Sequence, residues 1–356
     1  MDQTISLAVR TLKPLSMGQI LDRAFRVYRQ QFLLLLGIVA AFQIPLAISQ
    51  LIQSQITSQM FSPTGRNNIE AMAGLLTAGS MIGNAFTLLA TVTTQFGYAA
   101  LALIVAHSYL GKPLPFGDLV KQMTESMWQI LLAIVLIMVL SLLLMAYAFL
   151  IPILGWFTGL GLVFYVSVVM APLVTPVIAL EKQGALAALS RTWALTRRRF
   201  WWVLGFGTIL FFMAGMLAAG PTALAIGGVQ LLAGDGGPPT IVMSLVTTFV
   251  TLAVSVVFVP VQIAAMTIMY LDLRVRFEGF DLALQSAGSG GPADPVTMVL
   301  QEVPAGPTQT QLITRNELLN FAAITILLWI LIALFFGALF LLIFWIISQL
   351  GPLGGF

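Results

Sequence analysis

Apolar residues dominate this chain in long uninterrupted runs, broken by short polar segments. No Asp, Glu, Lys or Arg occurs in residues 30–65, 71–111, 126–180, 200–234, 236–271 or 318–356. Each run exceeds the ~20 apolar residues that a helix needs to cross a bilayer. The run 126–180 is long enough for two helices, and Ile151-Pro152-Ile153-Leu154-Gly155 supplies the breakers for a turn between them. The pattern predicts seven spans, near 32–52, 84–109, 128–151, 157–180, 200–220, 241–271 and 319–349. The fold class expected is all-α: a polytopic transmembrane bundle of six core helices plus a seventh, C-terminal span.

Two polar segments have a pattern of their own. ILDRAFRVYRQQFLLLLG at 20–37 matches ALSRTWALTRRRFWWVLG at 188–205 at an offset of 168, pairing Arg23 with Arg191, Arg29 with Arg197, Phe32 with Phe200 and Gly37 with Gly205. Met17, Leu21, Ala24, Phe25, Tyr28 and Phe32 recur at helical spacing, with Asp22, Arg23, Arg26 and Arg29 on or beside the other face. Ser16 and Gln19 fit a capping box. Each copy reads as an amphipathic elbow helix on the membrane surface leading into a span. Weaker copies are read at Asp118–Trp128 before the third span and at Arg315 before the seventh.

The bases lie almost entirely on one side of these spans. With alternating loops, fifteen of the sixteen Lys and Arg fall on one face and only Arg66 on the other. The positive-inside rule then places the N-terminus in the cytoplasm and, with seven spans, the C-terminus outside. No short apolar run with a small-residue cleavage site precedes Phe32, so the first span is expected to serve as its own insertion signal. The location expected is the bacterial cytoplasmic membrane. The net charge of +3 and pI near 9.4 reflect these flanking bases, and nucleic acid is not an expected partner.

Composition narrows the chemistry. Charged residues make up 8% of the chain, against roughly 25% in soluble domains. Cysteine is absent, which removes disulfides, thiolate metal sites and cysteine nucleophiles. The single histidine, His107, stands beside Ser108, but neighbours on a helix do not face each other. No catalytic, cofactor-binding or metal-binding residue is expected. Gln43, Gln50, Gln95 and Gln262 fall within spans as interhelical glue. Gly79-x-x-x-Gly83 and Gly155-x-x-x-Gly159 fit the small-residue contact pattern.

The chemistry that remains is at the basic face. Arg23, Arg26, Arg29, Arg191, Arg197, Arg198 and Arg199 are candidates for anionic-lipid or interfacial contact. Asp272, Arg274, Arg276 and Glu278 allow two i,i+4 ion pairs at the end of the sixth span. Arg191 or the Arg197–Arg199 run reaching Asp272 or Glu278 would lock the two halves together. Residues 284–318, with SAGSGGPADP and EVPAGPTQTQ, read as a flexible cytoplasmic linker. The expected division is a six-helix domain at 1–283, that linker, and a C-terminal helix at 319–356.

Three of these segments, LSMGQILDRAFRVYRQQF, ALSRTWALTRRRFWWVLG and YLDLRVRFEGFDL, resemble the membrane domain attached to some bacterial glycerophosphoryl diester phosphodiesterases. The resemblance covers roughly residues 15–283 and implies a six-helix core. The catalytic domain of that family, a soluble barrel with acid/base His and metal-binding carboxylates, has no counterpart here, and residues 284–356 depart from the six-helix pattern. The function expected is a non-enzymatic integral membrane scaffold or accessory subunit that binds membrane lipids and, through the seventh span, other membrane proteins. The alternative is a transporter or channel for an uncharged or lipid-like substrate.

Overall fold

The protein is seen here as a computed structural model describing residues 13–60, 80–112, 114–233, 240–287, 295–301 and 313–349. Arg10, Arg66 and Gly79 lie outside the described residues. Among the described residues the fold is all-α, and seven helical stretches, with Leu154–Glu181 and Ala185–Ala233 each counted as one, are long and apolar enough to cross a membrane. In chain order the helices are α1 (Met17–Gln30), α2 (Phe32–Met60), α3 (Ser80–Tyr109), α4 (Phe116–Leu150), α5 (Leu154–Tyr165), α6 (Ala171–Glu181), α7 (Ala185–Thr196), α8 (Phe200–Ala233), α9 (Thr240–Glu278), α10 (Phe280–Ala287), α11 (Pro295–Gln301) and α12 (Arg315–Gln349).

The two copies of the sequence repeat fold alike. Met17 and Ala185 open α1 and α7, and Phe32 and Phe200 open α2 and α8. Both pairs are 168 apart (185 − 17 and 200 − 32). The predicted capping box starts α1: the Ser16 amide donates to Gln19 Oε1 at 2.9 Å and the Gln19 amide to Ser16 Oγ at 3.3 Å. A break at Gln31 separates α1 from α2, and a 3₁₀ turn at Arg197–Arg199 separates α7 from α8. The expected weaker copies do not form separate elbows. Asp118–Trp128 is continuous with the third span in α4, and Arg315 opens α12 without a break. No Gly, Pro or 3₁₀ turn interrupts either junction, and an α-helix once nucleated propagates.

The inward stripe of α1 also differs from the expected one. Ile20, Ala24 and Val27 are buried, whereas Phe25 and Phe32 are exposed. This helix therefore has two apolar stripes, and periodicity picked out the outward one. Several helices overrun the predicted spans: α2 continues to Met60 and α8 to Ala233, through Pro221.

Two compact units form, one within Met1–Leu136 and Val168–Pro304, the other within Ile137–Ser167 and Ala305–Phe356. In the first unit, burial is concentrated where α3, α6 and α9 meet. α9 is buried at every position from Ile263 to Val275, α6 from Leu173 to Glu181, and α3 from Ala99 to Ala106. A helix apolar on all sides belongs in such a core, and Ala99, Ala100, Ala264 and Ala265 let backbones approach closely.

In the second unit, α5 packs closely on the first half of α12. A Cβ at Gly161 would stand 2.3 Å from Phe321 O, and the Gly161 amide lies 2.8 Å from Thr325 Oγ1. Tyr165 and Phe321 meet edge to face at 5.8 Å. Gly155 and Gly159 do serve as contact glycines: a Cβ there would meet Tyr147 O at 2.2 Å and the Ala148 Cβ at 2.5 Å near the α4–α5 turn. That turn lies at Ile151–Ile153, as the Pro152 signal predicts, with Ile153 at φ 64° and the Leu154 amide donating to Pro152 O at 2.8 Å.

Within 284–318, three described stretches are helical, at the end of α10, in α11 and at the start of α12. α10 runs on to Ala287, and α11 forms a helix whose Val296, Val299 and Leu300 are buried. The composition looked too polar to fold alone, but α11 is held by a partner described next.

Candidate functional site

Several of the charged residues flanking the spans are buried. Those at the ends of α6, α7 and α9 turn inward and form one network in the first unit. Pro176 does not stop α6, which carries Glu181 to its last position with the side chain 0% exposed. α7 follows a turn at Lys182, which adopts left-handed backbone at φ 51°. Gln129 Oε1 accepts from the Ala185 amide at 3.1 Å and so satisfies one orphan donor at the start of α7. Ten residues beyond Glu181, Arg191 points back at it.

Arg191 sits between two carboxylates. Its Nε donates to Glu181 Oε2 at 3.2 Å, and its Nη2 donates to Glu278 Oε2 at 2.7 Å. The Tyr270 hydroxyl also donates to Glu181 Oε1. Arg274, 2% exposed, donates from Nε to Glu278 Oε2 at 3.1 Å and stands 3.8 Å from Glu181 Oε1. Its remaining nitrogens donate to Leu300 O at 2.9 Å and Val299 O at 3.3 Å, which caps the C-terminal carbonyls of α11. Phe280 lies under the guanidinium at 4.6 Å. Two Arg and two Glu alternate in a closed, neutral arrangement that ties α6, α7, α9 and α11 together.

A second clamp lies one turn away. Asp272 Oδ1 accepts from the Leu15 amide at 2.7 Å, Asp272 Oδ2 accepts from Arg276 Nε at 2.7 Å, and Arg276 Nη2 donates to Leu15 O at 2.6 Å. One ion pair thus satisfies both backbone groups of the residue that leads into α1. Both i,i+4 pairs expected on α9 are present, and each recruits a distant segment. The first half of the chain has a matching feature: Arg23 donates to the Tyr109 hydroxyl, with its guanidinium 5.6 Å from the ring. Tyr109 ends α3 as Glu278 ends α9, one position apart at the repeat offset (109 + 168 = 277). In each repeat, the elbow arginine fastens to the end of the second following helix.

The other sequence candidates stay outside the network. Arg26 and Arg29 are exposed on α1. Arg197 and Arg199 lie over Trp193 and Trp202 at 5.5 and 4.6 Å, and Arg198 over Phe277 at 5.2 Å. Within the Arg197–Arg199 run, Arg198 reaches the end of α9 through Phe277 O at 3.5 Å. Glu181 and Tyr270 were not singled out in the sequence. The available signal was a lone Glu directly after a span, at the end of a Pro-containing apolar helix. His107 is buried, its Nδ1 2.8 Å from Leu103 O one turn back. Gln95 Oε1 accepts from Thr175 Oγ1 at 2.7 Å, which joins α3 to α6. Among the described residues, no three His, Cys, Asp or Glu side chains are grouped to hold a metal ion.

Fold and network together define the class, an all-α multi-pass membrane protein with a closed ion network where its helices converge. The chain matches no protein-family model, no curated protein and no solved structure.

Proposed function

We propose that the chain is a non-enzymatic scaffold or accessory subunit of the bacterial cytoplasmic membrane, with its basic end in the cytoplasm, and that it binds lipid and partner proteins. The observation that carries this reading is the closure of the ion network. Ionisable residues in membrane helices ordinarily mark ion or proton pathways. Here Glu181, Arg274, Glu278 and Arg191 have side chains 0, 2, 8 and 11% exposed and are partnered with one another. Such charges hold helices in register and leave nothing aimed at a passing solute. The span glutamines fit the same reading. The cavity beside Gln43 measures about 10 Å³, at the lower limit for a single water. In the second unit, α12 exposes large apolar side chains from Ile326 to Trp345, a surface for lipid or another membrane protein. The six-helix core that the phosphodiesterase resemblance implies suits a membrane domain in this role.

The test is purification of the full chain in native-lipid particles, followed by reconstitution. The expected result is co-purifying phospholipid and a partner protein at fixed stoichiometry, with vesicle leakage equal to that of protein-free vesicles. Saturable flux of a small uncharged solute would instead establish the transporter reading.

A further inference from the structure

A concavity in the first unit is apolar and opens on the outside of the helices. It measures about 570 Å³ and is walled by the first halves of α2 and α4 and by α3, through Leu34, Gly37, Ala41, Leu119, Val120 and Met123 among others. That size falls within the about 300–1,000 Å³ of ligand pockets. Its α2 and α3 walls lie within helices of membrane-spanning length and apolarity, and its α4 wall, Phe116 to Met127, just precedes the expected third span, which sets the mouth at the boundary between headgroups and hydrocarbon. Gly37 keeps the floor low, with nothing within 4 Å of a Cβ placed there.

The groove begins at the first turns of α2 and α4, with Leu33, Leu34 and Phe116. Beside those turns stand the exposed bases Arg29 and Lys121. Of the nearby acids, Glu125 is engaged by Lys182 at 2.6 Å. Asp118 lies in the first turn of α4, where the helix N-terminus favours its charge. Arg29, Lys121 and Lys182 outnumber Asp118 and Glu125 three to two at this end, so the apolar trough runs from a net basic rim into the membrane, which is the charge and shape order of an anionic phospholipid.

We propose that this groove holds one acyl chain of an anionic phospholipid, with Arg29 and Lys121 at its headgroup. The inference rests on the lipid-binding part of the proposed function and names its site and lipid class. Bases at a membrane surface each contribute to such binding, and a buried chain adds to it with every methylene.

The test is native mass spectrometry of the full chain released from mixed phosphatidylglycerol and phosphatidylcholine. The wild type is expected to retain one phosphatidylglycerol in preference to phosphatidylcholine. Gly37→Leu, and independently Ala41→Leu one turn on, fill the trough and are expected to cut retention by about tenfold at unchanged thermal stability. Arg29→Gln with Lys121→Gln is expected to keep a retained lipid but lose the headgroup preference. Undiminished retention in a folded Gly37→Leu or Ala41→Leu protein would place the lipid elsewhere and overturn the groove while leaving lipid binding intact. An unchanged preference in the double variant would overturn the headgroup assignment. A wild type that retains no phospholipid would overturn both the groove and the lipid-binding reading.

Discussion

Replacing Arg191 with alanine is expected to destabilise the protein by about 3–5 kcal/mol, the cost of breaking a buried pair and leaving its partner charged. The effect is large because Arg191 serves two carboxylates. Glu181 would keep the Tyr270 hydroxyl and Arg274 at 3.8 Å, and Glu278 would keep Arg274 alone among its described ion-pair partners. Two negative charges would then share one guanidinium in a site closed to water. Thermal unfolding in detergent measures the loss, with a fall of roughly 10 °C. Arg26→Ala on the exposed face of α1 is the control, expected within about 0.5 kcal/mol of the parent. Arg191→Lys is expected to rescue little, since a point-like ammonium does not span both carboxylates as a guanidinium does. Adding Glu181→Gln alone to Arg191→Ala is expected to restore part of the loss, because one carboxylate, Glu278, is then left for the one guanidinium of Arg274. An Arg191→Ala protein as stable as Arg26→Ala would show that the network is not a lock.

The second large effect is expected at Gly161. Its Cβ position lies 2.3 Å from a backbone oxygen of α12 and 2.8 Å from Thr325 Oγ1. Backbone cannot rotate away as a flexible side chain can. Even Gly161→Ala must separate α5 from α12 and lose the amide contact with Thr325, and overpacking of this kind costs about 1–3 kcal/mol or more. Hydrogen exchange at residues 321–325 is expected to rise sharply in the variant. Gly215→Ala is the matched control: it is a helical glycine with open space around its Cβ position, and the change is expected to be neutral or stabilising by up to about 1 kcal/mol. If the two variants exchange alike, the close α5–α12 contact is wrong.

These two sites differ in how far sequence reveals them. The helices themselves were legible, because charge-free runs of this length have one reading in a membrane. The repeat was legible as well, since Arg23 and Arg191 occupy one register and α1 and α7 open 168 residues apart. The i,i+4 pairs on α9 follow from spacing alone. Sequence could not show that Arg276 and Asp272 would grip the Leu15 backbone, or that Arg274 would cap α11, because those partners are distant segments contributing main-chain atoms. For the same reason α11 read as linker. Its seven residues cannot stand alone, and its stability is tertiary. Gly161 lay outside the spaced glycine motif. Its role follows from the arrival of Phe321 and Thr325, which no local pattern announces. Glu181 was hidden by its position one residue past a span, where burial and exposure look alike on paper.

The proposal that fifteen of the sixteen bases lie on the cytoplasmic side of the spans is tested most directly by single-cysteine labelling. The chain has no cysteine of its own, so each introduced thiol is read without background. Arg26→Cys, Gln183→Cys and Ser348→Cys place thiols on α1, on the α6–α7 turn and near the end of α12. In intact cells, a membrane-impermeant maleimide is predicted to label Ser348→Cys, and to label the other two only after permeabilisation. Labelling of Arg26→Cys together with Ser348→Cys in intact cells would contradict the account.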